Sequence, residues 1–84
     1  MAHFSSDIDA FKECTGPYPY RNFVWLISQL GYEEVKAGKT SGARRKFFNK
    51  ETKLLIVLHE PHDGEMGRGM VRRLQKDLED KGVI

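Results

Sequence analysis

Apolar positions along this chain change their period from block to block. Phe23, Leu26, Ile27 and Leu30 recur at helical spacing, with Val24 and Trp25 widening the stripe, so the pattern predicts a helix over 20–30 with Trp25 partly in the core. Pro19 suits its first turn, and Gly31 suits a left-handed stop behind it. Tyr32 and Val35 mark a first strand over 32–36. Residues 37–42, AGKTSG, read as a loop. Arg44–Asn49 reads as a second strand, Asn49-Lys50-Glu51-Thr52 as a hairpin turn, and Lys53–His59 as a third strand. The unbroken apolar run of that third strand, LLIVL, predicts a central, covered position. Met70, Val71, Leu74 and Leu78 form the buried stripe of a last helix over 68–81, with Arg68, Arg72, Arg73 and Lys76 on its wet side and Gly82 as its stop.

Ahead of these elements, Ile8 and Phe11 share a face of one or two helical turns between Ser6 and Cys14, with Ser5 or Ser6 as cap. Thr15-Gly16-Pro17-Tyr18-Pro19 stops any helix there. The order is therefore helix, three antiparallel strands, helix. This is an α+β domain over 18–84 preceded by an N-terminal extension over 1–17. Both main helices are expected on one face of the sheet, leaving the other face open.

Eighty-four residues make one domain with room for one layer of sheet and one of helix. Net charge is only +2, but its distribution is uneven. Lys36, Lys39, Arg44, Arg45, Lys46, Lys50 and Lys53 lie in one stretch whose single acid is Glu51. Acids collect at both ends of the chain. A basic centre in a near-neutral protein points to a polyanion contact, with a solvated basic face as the plainer reading. Cys14 is alone, which excludes an internal disulfide and a thiolate zinc site and fits a reducing, cytoplasmic setting. No apolar run reaches membrane-spanning length, and the N-terminus lacks the pattern of a secretory signal.

The 40–84 stretch carries the chemistry. A helix ends in Leu30-Gly31-Tyr32. Gly42-Ala43-Arg44-Arg45 opens a strand, and an apolar strand ends in His59. His62-x-Gly64-Glu65 follows, and Gly69 opens a basic helix that closes on Gly82. Over roughly 20–83 these features resemble the HicA (YcfA-like) toxin family, small messenger-RNA interferases of type II toxin–antitoxin systems. The resemblance implies a double-stranded-RNA-binding-domain-like α-β-β-β-α fold and endoribonuclease activity without metal or cofactor. It also implies messenger RNA as substrate and a HicB-like antitoxin as partner, with any oligomer formed through that complex. Many members carry the catalytic histidine directly after the Gly-small pair, where this chain has Arg44, and a Ser or Gly where it has Ala43. That departure keeps a second reading open: a non-catalytic RNA-binding or protein-binding module on the same fold.

Metal-free RNA cleavage needs a base for the ribose 2′-hydroxyl, a cation for the phosphate and an acid for the leaving 5′-oxygen. Histidine suits the base and acid roles and arginine the phosphate role. His59 and His62, at a strand end before and after Pro61, are the candidate catalytic histidines, and Arg44 is the candidate phosphate clamp. His3, in a terminal tail, offers least. The competing reading makes His59 a continuation of the apolar run and His62 a turn residue. A metal held by the His59-x-x-His62 pair with Glu60, Asp63 or Glu65 has the right ligand types but weak spacing. Asp63 or Glu65 would instead orient a histidine ring or cap the last helix. Strand alternation sends Arg44, Lys46 and Phe48 to one face and Arg45 and Phe47 to the other, with the core side open. Arg44, Arg45, Lys46, Arg68, Arg72 and Arg73 are the candidate RNA-binding cations. An edge strand guarded by charges and a solvated helix face are the alternatives. Tyr18, Tyr20 and Trp25 read as base-stacking platforms or as bracing around the prolines.

Overall fold

The computed structural model describes the backbone of residues 2–35 and 44–84, and side chains within those ranges from Asp7 onward. The expected 37–42 loop, the Gly42-Ala43 pair and the His3 side chain lie outside the described residues. The element order is α1 (Ala2–Glu13), β1 (Tyr18–Pro19), α2 (Tyr20–Gln29), β2 (Tyr32–Val35), β3 (Arg44–Asn49), β4 (Leu55–His59), β5 (Glu65–Met66) and α3 (Arg68–Asp80). The chain is α+β, with β2, β3 and β4 forming an antiparallel sheet in that spatial order.

The core lies on one face of this sheet. Tyr32, Phe47, Ile56 and Leu58 point into it from the strands, and Phe23, Leu26, Ile27, Val71, Leu74 and Leu78 cover them from α2 and α3. Alternation along β3 and β4 leaves the other face uncovered, because Val35, Leu55 and Val57 stay exposed. Phe47, at 2% exposure, settles the direction of the basic strand: Arg45 shares the core side, and Arg44 and Lys46 share the open side.

The loop ends are fixed by particular contacts. Gly31 stops α2 with φ at +102°. A Cβ there would come within 3.0 Å of Asn49 Nδ2. Buried Asn49 donates from Nδ2 to the Leu30 carbonyl at 3.0 Å, and its Oδ1 accepts the Glu51 and Thr52 amides at 2.8 and 3.1 Å. One side chain thus ties the end of α2 to the β3–β4 hairpin. The hairpin turn is longer than expected. Lys53 sits at φ +64° inside it and donates its amide to the Asn49 carbonyl, so β4 begins at Leu55.

Several expectations are corrected. β4 is an edge strand of its sheet rather than a central one, and every second residue of it is exposed. Its continuous apolar run hides an ordinary alternation. The N-terminal turns form a 12-residue helix that begins at Ala2, so Ser5 and Ser6 lie inside α1 instead of capping it. The 1–17 extension joins the common core: Phe11 is fully buried and its ring meets Phe23 and Tyr18 at centroid distances of 5.3 and 5.1 Å. Residues read as plain stops, Tyr18 and Pro19, pair with Met66 and Glu65 in a second, two-stranded ladder. Trp25 is 46% exposed, not partly core, and Met70 is only half-buried beside the α3 stripe.

Candidate nucleic-acid interface

The open sheet face presents its side chains in cross-strand rows. Arg44 pairs with His59, Lys46 with Val35 on one side and Val57 on the other, and Phe48 with Glu33 and Leu55. Directly opposed residues hold their Cβ atoms about 5 Å apart. The candidate phosphate clamp and the first candidate histidine are therefore neighbours on one exposed surface, both at the end of the β3–β4 ladder. Lys46 stands one row in, beside the exposed aliphatic side chains of Val35 and Val57. The result is a flat strip with two cations, an imidazole and an apolar flank.

His62 lies just beyond β4, exposed in the turn before β5. Its loop is anchored on two sides. Gly64 takes φ +84° and its carbonyl accepts the Tyr20 amide at 2.9 Å, and the Tyr18–Met66 ladder holds the following residues. Asp63 accepts the Glu65 amide at 3.2 Å within this turn. Neither Asp63 nor Glu65 caps α3: its N-cap is Gly67, without a side-chain cap bond and with no acid in the first turn. Among the described residues no three His, Cys, Asp or Glu side chains gather as a metal site would require.

The basic residues divide by what already holds them. Arg45 binds Glu60 through Nε and Nη2, at 2.9 and 2.8 Å, with Glu34 3.7 Å away. This cluster links β2 and β3 to the residue that follows β4 at the core-side rim and holds Arg45 away from the Arg44–His59 surface. Beside it, burial first, then the charges of Glu60 and Glu34, push the Tyr20 hydroxyl up to about 12, against the opposing pull of Arg45. Arg73 donates to the Val57 carbonyl at 3.3 Å and so covers part of the free edge of β4. Arg44, Lys46, Arg68 and Arg72 make no salt bridge with any described residue. Arg68 and Arg72 sit one helical turn apart, in a cleft between α3 and the end of α1.

No family model matches the chain, and neither the curated proteins nor the solved structures contain a match.

Sequence reasoning missed the cleft at the end of α1, the exposed apolar row on β4 and the Asn49 tie. A polar residue at a strand end, followed by a turn and preceded by a Gly-stopped helix, was the available signal for Asn49. The cleft had no local signal, since its walls are more than fifty residues apart in sequence.

Proposed function

We propose that this chain is a HicA-like toxin with the double-stranded-RNA-binding-domain-like arrangement, a metal-independent endoribonuclease acting on messenger RNA and silenced by a HicB-like antitoxin. The observation that carries the reading is the cross-strand pairing of Arg44 with His59 on the uncovered face of the sheet. In the proposed reaction His59 takes the proton of the 2′-hydroxyl. The 2′-oxygen attacks the adjacent phosphorus, and the 5′-oxygen leaves with a proton from an acid, the role open to His62. Arg44 holds the phosphate oxygens as charge builds on them. Lys46 adds charge along the strand path. The exposed Leu55 and Val57 next to these cations offer a protein inhibitor an apolar anchor beside the site it blocks.

A second reading is favoured by Arg44 itself, which stands where the resembling family carries histidine: an RNA-binding module without efficient cleavage. One experiment separates the two. Purified protein is incubated with labelled RNA in the presence of a chelator, alongside His59→Ala. Cleavage by the wild type that falls sharply in the variant supports the nuclease. Binding without cleavage supports the module. Neither binding nor cleavage removes both.

A further inference from the structure

The helix that precedes the resembling region builds a second surface with α3. α1 ends at Glu13, and Lys12, Glu13 and Cys14 form one wall of an open cleft of about 680 Å³ whose other wall is Arg68, Arg72 and Gln75. Lys12, Arg68 and Arg72 are exposed, and none forms a salt bridge with a described residue. Glu13 offsets one of these charges, leaving the cleft net positive. A helix C-terminus would ordinarily oppose an anion with its free carbonyls. Here Gln75 engages part of that end, because its Nε2 donates to the Phe11 carbonyl at 2.7 Å and to the Cys14 carbonyl just beyond the helix at 2.9 Å. The same bonds fix the position of Lys12 relative to Arg68 and Arg72. The cleft is thus built from two elements far apart in sequence and tied together by the half-buried Gln75 amide.

We infer that the α1–α3 cleft is a binding site for the phosphodiester backbone of single-stranded RNA, with Lys12, Arg68 and Arg72 as its phosphate contacts. It rests on the RNA reading above and adds to it a role for the N-terminal helix. The chain leaves β4 at His59, passes through the 60–64 turn and β5, and enters α3 at Arg68, so one short segment connects the Arg44–His59 end of the sheet to the α3 wall of the cleft.

The test uses the full chain and a 12-nucleotide RNA methylated at every 2′-oxygen, which binds but cannot be cut at the 2′-hydroxyl. Affinity is measured across a salt series for the wild type, Lys12→Ala and Arg72→Ala. Each lost phosphate contact should shallow the log–log salt slope by about 0.7 and weaken binding roughly fivefold or more at low salt. Wild-type affinity and slope in both variants overturn the cleft as an RNA site. If Lys12→Ala leaves RNA binding intact but weakens capture of an acidic protein partner, the cleft serves that partner and the inference is overturned. If the wild type binds no RNA, the functional reading fails, and inorganic tripolyphosphate replaces RNA in an amide-shift titration. Shifts at Lys12 and Arg68–Met70 that vanish in both variants retain the cleft as a polyphosphate site. No shifts there overturn it.

Discussion

Gln75 of α3 donates to the main-chain carbonyl of Phe11, 64 residues earlier, at 2.7 Å. Together with the fully buried Phe11 ring, this bond makes α1 part of the domain. Gln75→Ala should cost about 1–2 kcal/mol, because it strands half-buried carbonyls. Phe11→Ala should cost about 3–5 kcal/mol through the cavity it leaves, a large share of the stability of a small domain. Thermal melts check both. A chain lacking residues 1–14 should melt at far lower temperature than the full chain, and equal melting would mean that α1 is dispensable.

The histidine at the end of β4 should matter for chemistry and not for folding. His59 is exposed, so His59→Ala should leave the melting temperature within a degree or two. RNA cleavage should fall roughly 100-fold or more, the scale of losing a general acid–base group. His62→Ala tests the acid role in the same assay. Retained activity in both variants would leave the histidines out of the reaction.

Charges on the two faces of β3 should behave differently toward RNA. Arg44→Ala and Lys46→Ala should each shallow the salt dependence of binding by about 0.7 on a log–log plot. Arg45→Ala should leave that slope nearly unchanged, because Glu60 and Glu34 already hold this guanidinium on the core-side rim. Equal losses for Arg44 and Arg45 in a polarisation assay would contradict the division of the strand.

The Gly31–Asn49 contact should be sensitive from both sides. Gly31→Ala forces a side chain onto φ +102° and against Asn49 Nδ2, at an expected cost of about 1–3 kcal/mol. Asn49→Ala leaves the Leu30 carbonyl and two turn amides without their partner, and should cost about 1–3 kcal/mol as well. Because both act on one junction, the double variant should be less destabilised than the sum of the singles in chemical denaturation.

Tyrosine ionisation gives a pH test. Tyr18, Tyr20 and Tyr32 all titrate above the ordinary tyrosine value, each mainly through burial, and Tyr20 reaches about 12. Folding therefore favours the protonated phenols. Their contribution is complete below pH 10, the unfolded value, and is lost as pH rises through the raised folded values, about 12 for Tyr20. Tyrosinate absorbance should consequently appear late in the native protein and near pH 10 in denaturant. Glu60→Gln should bring the Tyr20 step earlier by removing one of the charges that raise it.

Much of the fold was legible along the chain because its signals are local. Helical spacing marked α2 and α3, Gly31 and Gly82 marked their ends at φ +102° and +73°, and alternation separated Arg44 and Lys46 from Arg45. Those signals need only the geometry of a single helix or strand. The position of β4 was not legible, since an all-apolar run reads alike at an edge and at a centre. The β1–β5 ladder escaped notice because two-residue strands carry no periodicity.

By itself the sequence determined the element types, the three-stranded antiparallel sheet, the buried stripes of the helices, and the set of cations and histidines available for chemistry. These follow from side-chain period, turn residues and composition, which neighbouring residues settle among themselves. Only the tertiary structure decided that Phe47 faces the core, which places Arg44 opposite His59 on open surface and ties Arg45 to Glu60. It alone decided that α1 closes against α3 through Gln75 and brings Lys12 to Arg68 and Arg72. The physical reason is the same in each case. Which face of an element is buried, and which distant element covers it, depends on packing the whole chain around one core.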